Sequence, residues 1–246
     1  MKVMESNRLA ADSDKAGLAT EPADSPLVGF GVPAHEGVYR QLRELILFGG
    51  IRPGSALTLR GIADDLGVSP MPVREAVRRL IAERALAMQD NRRVRVAPMT
   101  AEKFEQILFA RRAIEPELAV RALANLDPSK IAEIEAIDED VNRAMFEGDT
   151  EGYMRANYYF HFALYRHADA PTLLGLVDSI WLQFGPFMRM AYGRIGTSRI
   201  EDIEDNHAQA LAAIRTGDGA ALRTAIDADI GQGMRYIGEA VLSPRA

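Results

Sequence analysis

The sequence predicts a mainly α protein with two parts: an N-terminal winged helix-turn-helix of three helices and a small β-hairpin, then a C-terminal all-helical bundle. Apolar residues recur at helical spacing on both sides of a glycine turn in 58–80. Two short β-like runs follow in 86–96, and only helical spacing continues after Pro98. The predicted divisions are a flexible arm at 1–35, the winged helix-turn-helix at 36–98 and the helical domain at 99–246.

The N-terminal arm is predicted from composition. Residues 1–34 mix Ala, Ser, Asp, Pro and Gly without a lasting apolar period. No apolar run of signal-peptide length follows Met1-Lys2, and no later stretch approaches the roughly 18 apolar residues of a membrane helix. The chain has no Cys, which fits a reducing compartment and excludes thiolate metal ligands. We expect a soluble, cytoplasmic protein without a membrane partner.

The net charge of −6 is unevenly distributed along the chain. Residues 36–100 hold 11 arginines against 7 acidic residues, whereas residues 101–246 carry a net charge of −8. Positive charge concentrated in one domain is typical of a nucleic-acid-binding surface. The overall acidity therefore does not argue against DNA binding.

The first predicted helix precedes the glycine turn and has one apolar face, formed by Val38, Leu42, Leu45 and Ile46. Gly49-Gly50 ends it, and Pro53-Gly54 makes a turn. In the second helix Leu59, Ile62, Ala63 and Leu66 share a face, with Thr58 as the predicted N-cap and Gly67 as the stop.

The third predicted helix is suited to the DNA major groove. We expect Ser69 to cap it, because Pro70 and Pro72 fall in its first turn, where their missing N–H groups do no harm. Val73, Ala76, Val77 and Leu80 form its buried stripe. The opposite face carries Met71, Arg74, Glu75 and Arg78, which leaves it free for phosphates and base edges.

A wing and six further helices complete the predicted fold. The β-like runs at Leu86–Met88 and Val94–Val96 flank Gln89–Arg93, where Asn91 suits the left-handed turn of a hairpin. Three helices and a wing make a winged helix-turn-helix. The later helices are predicted at Ala101–Leu126, Pro128–Phe146, Tyr153–His167, Thr172–Met190, Glu201–Arg215 and Ala220–Leu242.

Residues 36–98 resemble the DNA-binding domain of GntR-family bacterial transcription regulators. The resemblance is carried by an I..G.i.PG element at Ile46–Gly54 and an LGVS..PVREAl.rL element at Leu66–Leu80. The helical part resembles the FCD domain, the effector-binding and dimerisation module of FadR-subfamily regulators. The segments that carry this second resemblance are Arg111–Leu123, Asn157–Val177 and Asn206–Ile226.

The resemblance implies a set of DNA-contacting residues. Arg60 and Arg74 match arginines that commonly contact DNA in the family, whereas Pro70 stands where many relatives have Arg and Met71 where they often have Thr. We expect specificity to shift toward apolar contact of Met71 with a thymine methyl group, or toward contacts of Arg74 and Arg78 with guanine. The predicted contact residues are Arg60, Ser69, Met71, Arg74, Arg78 and, on the wing, Arg92.

The resemblance also implies a metal site. Asn157 and His161 lie one helical turn apart, where many FCD domains place an Asp and a His, and His207 matches a third ligand. Asp229 falls where the family normally has a fourth ligand, a His. A lone His on a helix is more often structural than ligating, and Asn157 and Asp229 both depart from the commonest pattern. The set suits Zn²⁺, Ni²⁺, Mn²⁺ or Fe²⁺ without choosing among them.

An effector pocket is expected near this metal site. Arg112 matches an arginine that faces the pocket in several relatives, next to Glu115, although an exposed position on the helix surface is an equal alternative. Trp181, Phe184 and Phe187 recur at helical spacing and are expected in the core or the pocket wall.

The predicted function is that of a ligand-responsive transcription regulator. It would act as a homodimer on a short palindromic operator in double-stranded DNA, with a small organic acid bound near the metal in the helical domain. One alternative is a metal-dependent helical-bundle enzyme with an appended DNA-binding-like head, but no catalytic Ser/His/Asp set or glycine-rich phosphate loop is present. Another is an FCD sensor without metal.

Overall fold

A computed structural model describes residues 34–89, 93–195 and 204–242 of the chain. In the N-terminal head, the helices and strands are α1 (Ala34–Leu47), β1 (Leu57–Thr58), α2 (Leu59–Asp65), α3 (Pro70–Ala82), β2 (Leu86–Met88) and β3 (Arg93–Val96). In the bundle, they are α4 (Ala101–Ala122), a 3-10 turn (Leu123–Asn125), α5 (Pro128–Glu147), α6 (Thr150–Tyr165), α7 (Pro171–Ile195), α8 (Asn206–Thr216) and α9 (Gly219–Val241). The mainly α class, the winged head and the helical bundle are confirmed.

The helix-turn-helix follows its sequence signals with one exception. Thr58 caps α2 by accepting a hydrogen bond from the Gly61 N–H at 2.9 Å, and Gly67 takes a left-handed φ of 64° directly after the helix. Ser69 is the N-cap residue of α3, as predicted, but its hydroxyl makes no capping hydrogen bond. An N-cap side chain bonds the second or third N–H of its helix, and the third residue of α3 is Pro72, which has none.

Within the described residues, the sheet of the wing has three strands, whereas the sequence predicted a hairpin of two. The sheet order is β1-β3-β2, all antiparallel, with Leu57 opposite Val94 and Leu86 opposite Val96. A strand of two residues is too short to show alternation, so no sequence pattern indicates β1. The wing tip at 90–92, with the expected turn at Asn91 and the candidate Arg92, lies outside the described residues.

In the bundle, α5, α6, α8 and α9 each start at an aspartate whose side chain accepts from the free N–H groups of the first turn. Asp149 accepts from the Gly152 N–H and Asp205 from the Ala208 N–H, so α6 begins three residues earlier and α8 five residues later than predicted. α1 begins at Ala34, inside the range assigned to the arm, and residues 1–33 lie outside the described part. Among the described helices, none has the length and apolarity needed to cross a membrane.

Helix α7 joins the bundle to the head. Its backbone at Gly185 approaches the end of α1 so closely that an added Cβ would lie 2.8 Å from the Leu47 carbonyl oxygen. Nearby, Arg43 of α1 pairs with Asp178 of α7 and donates to the Tyr158 hydroxyl of α6 at 3.1 Å. The head therefore rests on the bundle through a close backbone contact and a half-buried ion pair.

We expect Gly185→Ala to lower the free energy of unfolding by about 1–3 kcal/mol, because the new methyl group overpacks the backbone of α1. Ala is also disfavoured in helical conformation before Pro186. The matched control is Gly175→Ala on the same helix, where an added Cβ meets nothing within 4 Å. That change should stabilise by roughly 0.5–1 kcal/mol. Chemical denaturation of both variants measures the difference, and equal stability would contradict the close α1–α7 contact.

Candidate nucleic-acid interface and candidate metal centre

The candidate DNA-contacting side chains of α2 and α3 project from the head into solvent. Arg60, Ser69 and Arg74 are exposed, and Met71 is 62% exposed. Within the described residues, neither Arg60 nor Arg74 forms an ion pair. Arg78 is also exposed and makes one weak contact, at 3.4 Å, with Glu75. These arginines are thus available to phosphates and base edges.

Arg79 is different, although it stands next to Arg78. Its guanidinium lies 3.6 Å from the centre of the Tyr39 ring and bonds Glu36 and Glu83 at 3.1 Å each. The Tyr39 hydroxyl donates to Glu83, and burial together with that carboxylate raises the Tyr39 pKa to about 12. Arg79 therefore holds α3 on α1 and leaves the DNA face to its neighbours.

Three of the predicted metal ligands meet inside the bundle. His161 comes from α6, His207 from α8 and Asp229 from α9. Their ligand atoms all lie within 4.8 Å of one another, with His161 Nε2 3.2 Å from Asp229 Oδ2 and His207 Nε2 3.7 Å from Asp229 Oδ1. Both histidines are buried. Asn157 is buried one turn before His161 and lines the same small cavity as Asp229.

Hydrogen bonds on the far side of each imidazole assign its tautomer. His207 Nδ1 lies 2.9 Å from Asp138 Oδ1, and a carboxylate oxygen only accepts, so this nitrogen carries the hydrogen. Tyr165 donates its hydroxyl hydrogen to Glu115 at 3.0 Å, so it can only accept from His161 Nδ1, 3.1 Å away. In the neutral imidazoles, both Nε2 atoms are therefore left with lone pairs that face Asp229.

This arrangement fits a metal cation. Two buried imidazole nitrogens and the partly buried Asp229 carboxylate converge without a donor between them. His161 Nε2 makes no hydrogen bond although Asp229 is near. Burial would raise the pKa of Asp229, but the two imidazoles and Arg111 outweigh it and lower that pKa to about 2. Burial would lower the pKa of His207, but Asp138 and Asp229 raise it. The cluster thus attracts a positive charge, either a proton or a divalent ion with imidazole and carboxylate ligands.

A cavity of about 20 Å³ adjoins the cluster. Its polar lining includes Arg111, Asn157 and Asp229, and Trp181 and Phe184 of α7 form its apolar wall, as expected for these aromatic residues. Phe187 is buried in the core instead. A space of this size holds about one water molecule. A larger open groove of about 470 Å³ between α5 and α6 contains none of the cluster residues.

The structure places Arg112 away from this cavity, at the exposed position on the helix surface that the sequence left as an equal alternative to the pocket. Its side chain is 49% exposed and donates to Asp227 at 2.7 Å on the bundle surface. Arg111 lines the cavity instead, 4% exposed, with its Nε 2.6 Å from Glu115 Oε1 and its guanidinium 4.2 Å from the Phe184 ring centre. One residue turns a helix by about 100°. The signal in the sequence that could have identified Arg111 as the inward arginine is Glu115, which lies one helical turn later and pairs with it.

Comparisons with known proteins agree with this architecture. Residues 34–96 match the family described as bacterial regulatory proteins, gntR family, and residues 106–232 match the FCD domain. The chain is 28% identical over 181 residues to the HTH-type transcriptional regulator McbR of Escherichia coli K12, covering 74% of this chain and 82% of that protein. It is 23% identical over 194 residues to the HTH-type transcriptional repressor RspR of the same strain, covering 79% and 84%.

Solved structures show the same fold. The structure of E. coli McbR/YncC matches with a TM-score of 0.80 and 25% identity, over 85% of this chain and 98% of that one. A putative GntR regulator from Rhodococcus sp. RHA1 matches with a TM-score of 0.68 and 26% identity, over 84% and 98%. Because the FCD match alone spans more than half of its length, the chain belongs to the gntR family of bacterial regulatory proteins, in the FCD-containing FadR subfamily, as a DNA-binding transcriptional regulator and not an enzyme.

Proposed function

We propose that this regulator senses a small organic acid through a divalent metal held by His161, His207 and Asp229, with Asn157 beside them. The observation that carries the proposal is the convergence of two buried histidines and the partly buried Asp229 on one point next to a cavity lined by Arg111. Imidazole and carboxylate ligands suit Zn²⁺, Ni²⁺, Mn²⁺ or Fe²⁺.

Charge favours an anionic effector. A divalent ion with Asp229 as its single anionic ligand keeps a net charge of +1, and such a charge in a buried site attracts a carboxylate to the remaining coordination positions. Arg111 is already neutralised in part by Glu115, so it supplies hydrogen-bond donors more than net charge. The effector would therefore bind the metal directly and take its orientation from Arg111.

The size of the cavity suggests how binding reaches the DNA-binding head. At about 20 Å³ the cavity is smaller than any organic carboxylate, so entry of the effector requires the walls to move. Trp181 and Phe184 of α7 form one wall, and Gly185 of the same helix contacts α1. A displacement of α7 would change its contact with α1 of the DNA-binding head. An effector can shift DNA binding only if it favours one of two such arrangements over the other.

The metal-free sensor remains the alternative. In that case a proton on the histidine cluster would replace the metal, and Arg111 alone would receive the acid. Elemental analysis of protein purified without chelators separates the two, because a metal-free sensor would contain no stoichiometric transition metal.

The first prediction concerns DNA recognition. Arg74→Ala should weaken operator binding by roughly 1–3 kcal/mol if its guanidinium is bidentate to guanine. Arg92→Ala on the wing should weaken all sequences alike and reduce the salt dependence. Arg121→Ala serves as the control, since this exposed arginine pairs with Glu117 in the bundle. Gel-shift titrations at two salt concentrations, on an operator selected from random DNA, measure all three. Normal binding by Arg74→Ala would refute the assignment of α3.

The second prediction is a homodimer. A single helix-turn-helix buries little surface, so specific binding to a short palindrome needs two heads placed by a two-fold interface. Light scattering at micromolar protein should give about twice the chain mass of 27.0 kDa. A mass equal to that of one chain would exclude the two-headed model.

The third prediction concerns the ligands. Asp229→Asn should lose metal, because it removes a charged ligand, whereas Asn157→Asp should keep or increase it. Carboxylate affinity should fall in both variants, through loss of the metal in the first and loss of net positive charge in the second. The control is Asp227→Asn on the same helix, which pairs with Arg112 at the surface. Elemental analysis and calorimetry decide the matter: full metal content in Asp229→Asn would remove Asp229 from the ligand set.

A further inference from the structure

The two histidines of the cluster are held by different partners on their outer sides. His207 Nδ1 bonds Asp138 of α5 at 2.9 Å. His161 Nδ1 bonds the Tyr165 hydroxyl, which in turn donates to Glu115 of α4 at 3.0 Å. Neither α4 nor α5 contributes a ligand atom to the cluster. Both nevertheless contact it through these bonds.

We propose that Asp138 and Tyr165 are positioning residues that fix the tautomer and ring orientation of His207 and His161 so that both Nε2 atoms face one metal point. The proposal rests on the metal site proposed above. Its physical basis is that a partner for the outer nitrogen of a ligating imidazole sets which nitrogen carries the hydrogen, and raises the basicity of the other.

Asp138 is itself fixed in place. It is buried, and its second oxygen accepts from the Asn142 side-chain amide at 3.2 Å while the first holds His207. The His207 ring also stacks on Phe160, with ring centres 3.8 Å apart and planes 12° apart. Stacking sets the plane of the imidazole, and the bond to Asp138 then selects which edge of the ring faces α5. The direction of His207 Nε2 is thereby determined before any ion binds.

Tyr165 acts through a longer chain. Arg111 holds Glu115 as an acceptor by two hydrogen bonds, at 2.6 and 3.3 Å. Glu115 then uses the hydroxyl hydrogen of Tyr165, which forces His161 Nδ1 to be the donor. Because a neutral phenol polarises an imidazole less than a carboxylate does, the contribution of Tyr165 should be smaller than that of Asp138. This series of hydrogen bonds also links Arg111, at the cavity, to the proposed metal ligand His161.

The test measures Zn²⁺ affinity of the full chain by competition with a chromogenic chelator. Asp138→Asn should weaken binding about 10–100-fold and Tyr165→Phe by less. Asp140→Asn is the control for charge, because Asp140 is exposed on the same helix and pairs with Arg143. Tyr159→Phe, at an exposed tyrosine of α6, is the control for hydroxyl loss. Both controls should bind Zn²⁺ like the wild type.

A second readout distinguishes positioning from general support of the fold. Imidazole ¹⁵N chemical shifts of the metal-free chain, recorded at alkaline pH, should show hydrogen on Nδ1 of both histidines. Asp138→Asn should move His207 toward the other tautomer and leave His161 unchanged. Tyr165→Phe should move His161 toward the other tautomer and leave His207 unchanged. Because this variant retains the buried aromatic ring, it still tests the proposal if Asp138→Asn fails to fold.

The outcomes separate this inference from the proposed function. If the wild type binds Zn²⁺ and Asp138→Asn and Tyr165→Phe bind it equally well with unchanged tautomers, the positioning roles are refuted while the metal site stands. If the wild type binds none of the four ions Zn²⁺, Ni²⁺, Mn²⁺ and Fe²⁺, both proposals fail.

Discussion

The bundle of this regulator is organised around a cluster of hydrogen-bond acceptors that face one another. His161 Nε2, His207 Nε2 and the partly buried Asp229 bring three acceptors together, and His161 Nε2 has no hydrogen-bond partner, which is costly for a buried polar atom. Because α6, α8 and α9 each supply one of these groups, any cation that satisfies them also ties three helices together. Stability of the bundle and occupancy of the cluster should therefore be linked.

Around this centre, buried charge is balanced in pairs. Arg111 is compensated by Glu115, and its guanidinium lies against the faces of Trp181 and Phe184. Asp138 is held by hydrogen bonds from His207 Nδ1 and from the Asn142 amide instead. Removing one member of such a pair leaves the other charge buried and alone, which costs more than the intact pair contributes. Conservative exchanges that keep the shape are for this reason more informative here than truncations to alanine.

Helix α7 gives the two domains a common element. Its inner side supplies the aromatic wall of the small cavity, while Gly185 and Asp178 meet α1 of the head. Closely packed backbone does not deform gradually, because its atoms are already at van der Waals distance. The wall that the proposed effector would displace is thus directly connected to the surface on which the DNA-binding head rests.

Patterns contained within one or two helical turns were predictable from the sequence. They include the Thr58 cap, the Gly67 stop, the buried stripe of α3 and, with the family motifs, the pair His161 and His207. Contacts between distant segments depended on the tertiary structure. Asp138 meets His207 across 69 residues, and the two-residue strand β1 exists only through its pairing with β3. Arg111 faces the cavity and Arg112 the solvent because neighbouring residues on a helix point about 100° apart, and helix packing, which no local pattern records, selects the inward one.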